Sequence, residues 1–163
     1  MLPTALTEPA HAAAERLAAR GESIAVAESA AGGLISAALV AVPGCSAFYR
    51  GGLVVYTLEG AKAQFAGAPR PAGLRGATEP FAGWLATTVA ASLGTTWGLG
   101  ETGASGPTGN PYGDPPGHSW AAVAGPNGVT ARNLRTGSDD RAANMEAFAA
   151  AALTLLVEAL TRD

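Results

Sequence analysis

Two polar side chains and two glycines lie together between an apolar run and a helical pattern near the amino end of the chain. Glu28 and Ser29 follow the apolar residues 24–27, and Gly32 and Gly33 precede the helical pattern. A short apolar run is typical of a buried strand, and ligands of open α/β sheets bind at the carboxyl ends of such strands. Glycine N–H groups at a helix start can bind a phosphate. The same pattern also fits an ordinary strand-to-helix turn.

A second polar stretch is the predicted loop over residues 102–117, which begins with the sequence TGASGPTGN. A loop of about sixteen residues inside a compact domain is usually functional or disordered. Its small residues, among them Thr102, Gly103 and Gly106, suit close approach of the backbone to a polar ligand. The chain has no Walker A sequence, no GxGxxG at a helix start and no GxSxG elbow.

The basic residues are almost all arginine, because Lys62 is the single lysine beside nine arginines. An arginine side chain stays protonated in a protein, whereas a desolvated lysine can act as a general base. The sequence therefore makes Lys62 a candidate base, while an ordinary surface lysine remains the alternative interpretation.

Composition excludes several classes of function. The chain has 163 residues, 48% hydrophobic residues and a net charge of −3, with no basic block, so we expect no nucleic-acid partner. No uninterrupted apolar run reaches about 18 residues, so we expect no membrane partner. Cys45 is the one cysteine, which excludes an internal disulfide and favours a reducing, cytoplasmic setting.

The periodicity of the chain predicts a single α/β domain over residues 1–163. The strand–helix–strand order over residues 24–57 favours a parallel pair of strands, and Pro126-Asn127-Gly128 indicates a hairpin. Together these signals predict three layers on a mixed sheet. Predicted helices cover residues 6–20, 34–42, 59–66, 78–93 and about 140–160, and predicted strands cover residues 24–27, 53–57, 97–101, 119–124 and 129–134.

Four segments resemble the signature blocks of the CinA C-terminal domain family, in the family's order and spacing. They are residues 27–33 (AESAAGG), 43–46 (PGCS), 50–56 (RGGLVVY) and 102–107 (TGASGP). The resemblance covers essentially the whole chain and implies a stand-alone version of that domain. It also implies a three-layer α/β/α sandwich with a mixed, mostly parallel sheet, and a homo-oligomer.

The resemblance implies an activity, because several members of the family are nicotinamide mononucleotide deamidases. They hydrolyse the carboxamide to nicotinic acid mononucleotide and ammonia, without a metal or another cofactor. The matching positions make Ser46 the nucleophile or a hydroxyl that positions it, Lys62 the general base, and Tyr56 the third catalytic residue. A serine–lysine pair of this kind activates a hydroxyl and supplies a proton to the leaving ammonia; the lysine would have to be neutral in a dry pocket.

The same resemblance places the nucleotide and its phosphate on a second set of residues. Ser29, Thr102 and Arg141 match the family's binding positions. The glycines Gly32, Gly33, Gly103 and Gly106 would supply backbone N–H groups beside them, for the phosphate and for an oxyanion site.

The chain also departs from the family's usual pattern. Glu101 stands where an apolar residue is usual, one extra residue precedes Lys62, and the glycine loop continues with an acidic Asp114. A catalytically silent member that binds a nucleotide or a protein is therefore the alternative function. Cys45 as a nucleophile, His118 as an acid–base group, and Glu101 or Asp114 as cation ligands are weaker hypotheses, and the sparse His and Cys make a zinc site improbable.

Overall fold

The computed structural model describes residues 1–162, in which five strands form one sheet between two helical layers. The strands are β1 (Ile24–Glu28), β2 (Tyr49–Val54), β3 (Trp97–Ala104), β4 (His118–Gly125) and β5 (Gly128–Arg135). The helices are α1 (Thr4–Arg20), α2 (Leu34–Val40), α3 (Leu58–Gln64), α4 (Glu79–Leu93) and α5 (Arg141–Arg162), and a 3₁₀ turn covers Cys45–Ala47.

The sheet is mixed, with the strand order β2-β1-β3-β4-β5. Strand β1 pairs in parallel with both β2 and β3, whereas β4 pairs antiparallel with both β3 and β5. Four of the five strands therefore point the same way, and the predicted mixed, mostly parallel sheet is confirmed. Because β2 and β3 lie on opposite sides of β1, the winding reverses next to β1, and ligands bind at the carboxyl edge of such a switch point.

The two faces of the sheet carry separate cores. Helices α1, α2 and α5 pack together on one face, and α4 covers β3 and β4 on the other. Helix α5 is long and apolar enough to meet the length and composition of a membrane span. However, Phe148, Leu153 and Leu156 on α5 are buried in the first core, so its apolar face has a role in the fold of the domain.

Most element boundaries agree with the sequence pattern, and glycines explain the two largest differences. Strand β2 begins at Tyr49, earlier than the predicted Leu53, and β3 continues to Ala104, beyond the predicted Glu101. Glycine weakens a strand pattern in sequence because it has no side chain to pack. In β3 the lack of a side chain at Gly98 and Gly100 lets the backbone of α4 approach the sheet.

The contact between α4 and β3 yields a stability prediction. A methyl group at Gly98 would overlap the carbonyl oxygen of Ala86, which belongs to the helix backbone. We expect Gly98→Ala to lower the free energy of unfolding by about 3 kcal/mol, since a backbone cannot move aside cheaply. Gly67→Ala is the control because the space around Gly67 is open. Urea unfolding would contradict the packing argument if both variants were equally stable.

Candidate functional site

A cavity of about 180 Å³ opens at the carboxyl edge of the sheet, beside the ends of β1, β2 and β3. We call it the switch-point cavity. It is lined by Ser29, Val55, Tyr56, Thr57, Leu58, Ala61, Arg70, Gly76, Ala77, Phe81, Thr102, Gly103, Asn110 and Tyr112. Four predicted site residues, Ser29, Tyr56, Thr102 and Gly103, therefore lie around one cavity.

The polar groups of this cavity come from neighbouring strands. The Thr102 hydroxyl accepts a hydrogen bond from the Ala77 backbone N–H at 2.9 Å, which ties β3 to the loop before α4. The Ser29 hydroxyl makes no hydrogen bond within residues 1–162, whereas its backbone N–H is bound to Glu101. The side-chain oxygen of Ser29 is therefore available to a ligand.

Arg141 joins three parts of the candidate site at the first turn of α5. Its guanidinium donates to the carbonyl oxygen of Gly106 at 2.7 Å and to the hydroxyl of Tyr56 at 2.6 Å. The structure thus brings two more predicted residues, Arg141 and Gly106, together with Tyr56. Tyr56 links this group to the switch-point cavity, because it also lines that cavity.

The start of α2 already holds an anion that belongs to the chain. The fully buried Glu28 carboxylate accepts from the backbone N–H groups of Gly33, Ile35 and Ser36 at 2.9, 3.1 and 2.9 Å, and from the Ser36 hydroxyl at 2.7 Å. A negative charge there is favourable because helix N-termini carry partial positive charge.

The predicted phosphate site at Gly32 and Gly33 is therefore not seen in this structure. The Gly33 N–H is donated to Glu28, and the Gly32 N–H is donated to the Ser29 carbonyl oxygen at 3.1 Å. Both glycines instead have positive φ, 66° and 102°, in the turn that follows β1. These positive φ values let the chain reverse direction after β1, so that the backbone N–H groups at the start of α2 face the Glu28 carboxylate.

A second buried carboxyl group supports the same turn from β3. One oxygen of Glu101, Oε2, accepts from the N–H groups of Ser29 at 3.1 Å and Ala31 at 2.8 Å. The other oxygen is buried without a partner among residues 1–162. Burial, and to a lesser extent the charge of Glu28, raises the pKa of Glu101 to about 8. Glu101 faces this turn rather than the cavity, so it is a poor ligand for a cation.

The raised pKa of Glu101 predicts how the free energy of unfolding depends on pH. The unfolded chain ionises this group near pH 4.5, while the folded chain retains the proton up to about pH 8. The contribution of Glu101 to stability is therefore complete below about pH 4.5 and is lost progressively as the pH rises to about 8. Glu101→Gln keeps an acceptor and has no charge, so its advantage over the parent should grow over that pH range.

Urea unfolding between pH 5 and 8 measures this difference. Glu15→Gln is the matched control, since Glu15 is exposed on α1. Parallel stability–pH curves for the parent and Glu101→Gln would show that the buried acid is not protonated.

The predicted loop over residues 102–117, the glycine loop, is held over the switch-point cavity by an ion pair between Arg75 and Asp114. Asp114 accepts from Arg75 at 2.7 Å and from the Asn110 side chain at 2.8 Å. The hydrogen bond from Arg75 holds the pKa of Asp114 below its usual range. Arg75 also lies over the ring of Tyr112, 5.1 Å from its centroid. Asp114 is thus engaged in positioning Asn110 and Tyr112 on the cavity wall.

The contacts of His118 and Cys45 indicate structural rather than catalytic roles. His118 is 5% exposed, and its Nε2 is 3.0 Å from the carbonyl oxygen of Ala77. Cys45 packs at the margin of the core formed by α1, α2 and α5. Within residues 1–162, no group of three or more His, Cys, Asp and Glu residues is arranged to hold a metal ion.

The predicted catalytic pair, Ser46 and Lys62, is not assembled within one chain. Ser46 is exposed in the 3₁₀ turn before β2, at the amino edge of the parallel strands. Lys62 lies on α3, after β2, at the carboxyl edge. The six residues of β2 separate these edges by about 17 Å. Lys62 is also exposed rather than enclosed in a dry pocket.

Three features of the site were missed by sequence reasoning. Arg70 and Tyr112 line the cavity from loops that lack periodicity, so nothing in the sequence singled out either residue. Glu28 was noted as a carboxylate, but its function as an anchor for α2 depends on the backbone direction of the turn. A carboxylate just before a glycine pair and a helix start is the signal that could have indicated it.

The fold and the cavity define the class of protein, a three-layer α/β/α domain with a cavity at a topological switch point. The sequence model of the CinA C-terminal domain matches residues 6–160. The chain belongs to the CinA C-terminal domain family, which confirms the resemblance seen in its motifs.

Individual relatives agree with this assignment. A CinA-like protein of Anaeromyxobacter sp. (strain Fw109-5) is 42% identical over 138 residues, which is 83% of this chain and 33% of that protein. A CinA-like protein of Myxococcus xanthus is 41% identical over 132 residues, 78% of this chain and 31% of that protein. The chain spans about a third of the length of the curated relatives it matches, so the boundary of a single domain at 1–163 stays a prediction.

Solved structures have the same fold along the whole chain. The competence/damage inducible protein CihA from Agrobacterium tumefaciens matches with a TM-score of 0.88 and 27% identity, over 99% of this chain and 98% of that one. A CinA superfamily protein from Klebsiella pneumoniae matches with a TM-score of 0.83 and 26% identity, over 97% and 99%.

Proposed function

We propose that the protein binds nicotinamide mononucleotide, or a close relative, in the switch-point cavity and hydrolyses its carboxamide. The observation that carries the proposal is the convergence of Ser29, Tyr56, Thr102 and Gly103 on one cavity at the carboxyl edge. These residues come from three separate motifs; Ser29, Thr102 and Gly103 were predicted to bind the nucleotide, and Tyr56 was predicted to take part in catalysis. Membership in the CinA C-terminal domain family supports the same reaction class.

The cavity offers groups that suit each part of such a nucleotide. Phe81, Tyr56 and Tyr112 present aromatic surface for a flat ring. The free hydroxyl of Ser29 suits the carboxamide or the ribose. Arg70 on the cavity wall, with Arg141 bound to Tyr56, supplies positive charge for the phosphate.

The reaction adds the oxygen of water to the carboxamide carbon and releases the nitrogen as ammonia. A base must take a proton from the attacking hydroxyl, and a donor must protonate the leaving nitrogen. The expected pair, Ser46 and Lys62, can meet only if a second copy of the chain brings its Ser46 to the carboxyl edge of the first. We therefore include a homo-oligomer in the proposal, which would also cover the exposed Lys62.

Ammonia release from nicotinamide mononucleotide tests the proposed activity. Ser29→Ala should lower kcat/KM by about tenfold or more, since it removes a hydroxyl that is free for the substrate. Thr154→Ala is the control because this residue is exposed on α5 and bonds only to the carbonyl oxygen of Ala150. Absence of turnover by the folded parent protein would contradict the proposal for this substrate.

Mixing of variants tests the shared site. We expect Ser46→Ala and Lys62→Ala each to be inactive alone, and a mixture that exchanges subunits to recover part of the activity. Recovery follows because a mixed oligomer holds one interface with both intact side chains. No recovery, with an active parent protein and proven exchange of subunits, would contradict a pair formed between copies.

A binding protein without catalysis is the second candidate function. It is favoured by the exposure of Lys62 and by the distance of Ser46 from the cavity within one chain. Calorimetry distinguishes the two candidates, since saturable binding of nicotinamide mononucleotide without ammonia release would identify the binding protein.

A further inference from the structure

A second cavity, of about 290 Å³, lies beside α3 and next to the switch-point cavity. We call it the α3 cavity, and its walls include Leu58, Ala61, Lys62, Phe65, Arg70 and Trp84. Its volume is near that of small-molecule sites. None of the four signature blocks contributes a residue to it, and Lys62 is the one predicted site residue on its wall.

The far wall of the α3 cavity is aromatic. The ring of Trp84 packs edge-on against Phe65 with a centroid distance of 5.1 Å, and lies 5.5 Å from the ring of Phe81. These contacts fix Trp84 on α4, while the ring remains part of the cavity wall. A rigid indole beside apolar side chains suits a flat aromatic group, which can stack on it.

The same cavity carries two positive charges. Within residues 1–162, neither Arg70 nor Lys62 forms an ion pair, although Arg20, Arg75, Arg132 and Arg162 all do. Arginine binds phosphate and carboxylate groups through its planar set of donors. The α3 cavity therefore combines a flat apolar wall with charges that an anion would neutralise.

The two cavities adjoin each other. Leu58, Ala61 and Arg70 line both of them, so Arg70 lies at their junction. We propose that the α3 cavity is a second subsite, which binds a planar aromatic group carrying a phosphate, with Trp84 against the ring and Arg70 on the phosphate. Such a group can be the second half of a dinucleotide or a separate aromatic nucleotide. That the first half is a nicotinamide nucleotide rests on the proposed function.

Quenching of tryptophan fluorescence that is present in the parent and absent in Trp84→Phe provides the test, with adenosine monophosphate, nicotinamide mononucleotide and a nicotinamide adenine dinucleotide as probes. We expect adenosine monophosphate and the dinucleotide to quench in a saturable manner. Arg70→Gln should weaken both affinities about tenfold, and Trp84→Phe, followed by calorimetry, should retain most of the binding that Trp84→Ala loses. Arg135→Gln is the matched control, since Arg135 is an exposed arginine on β5, far from α3.

The arms of the experiment distinguish the two sources of the aromatic group. A dinucleotide that binds at least tenfold more tightly than either mononucleotide identifies one ligand across both cavities. Equal affinities for the dinucleotide and adenosine monophosphate identify a separate ligand. The inference is overturned if neither adenine probe binds, or if Arg70→Gln and Trp84→Ala leave their affinities unchanged. These readouts do not depend on ammonia release, so this failure is distinguishable from failure of the proposed reaction.

Discussion

The buried carboxylate of Glu28 is the interaction on which the site depends. An ionised group with no solvent exposure needs compensation, and four donors from the start of α2 supply it. This bond network joins the carboxyl end of β1 to α2 and determines the path of the chain between them. Ser29, the next residue, is thereby placed at the switch-point cavity. The site is therefore positioned by an anion that belongs to the chain.

Glu101 adds a constraint to the same turn. It accepts from Ser29 and Ala31 but leaves one oxygen buried without a partner in the described residues, which raises its pKa and favours the neutral acid. The two carboxyl groups differ in their partners, because Glu28 accepts four hydrogen bonds whereas Glu101 accepts two through one oxygen. A protein with an apolar residue at position 101 would lack these two bonds to the turn. The Glu101 side chain is thus part of how this chain positions Ser29.

The sequence predicted the layers, the mixed sheet and most of the elements, because periodicity and turn residues are local signals. Thr78 and Asp140 accept hydrogen bonds from backbone N–H groups at the starts of α4 and α5, which agrees with the predicted starts of these helices. The candidate site was predicted only in part. Glycines in the sequence obscured the start of β2. The separation of Ser46 and Lys62 could not be predicted because it depends on which edge of the sheet each residue occupies. Gly33 was predicted to bind a substrate phosphate, but backbone direction at the turn gives its N–H to Glu28.

A crystal structure with nicotinamide mononucleotide tests most directly whether the nucleotide binds in the switch-point cavity. We expect the pyridine ring at the carboxyl ends of β1 and β3, within hydrogen-bond reach of the Ser29 hydroxyl, and the phosphate beside Arg70 or Arg141. A nucleotide bound at the start of α2 in place of the Glu28 carboxylate, or at the amino edge of the sheet beside Ser46 of the same chain, would contradict it.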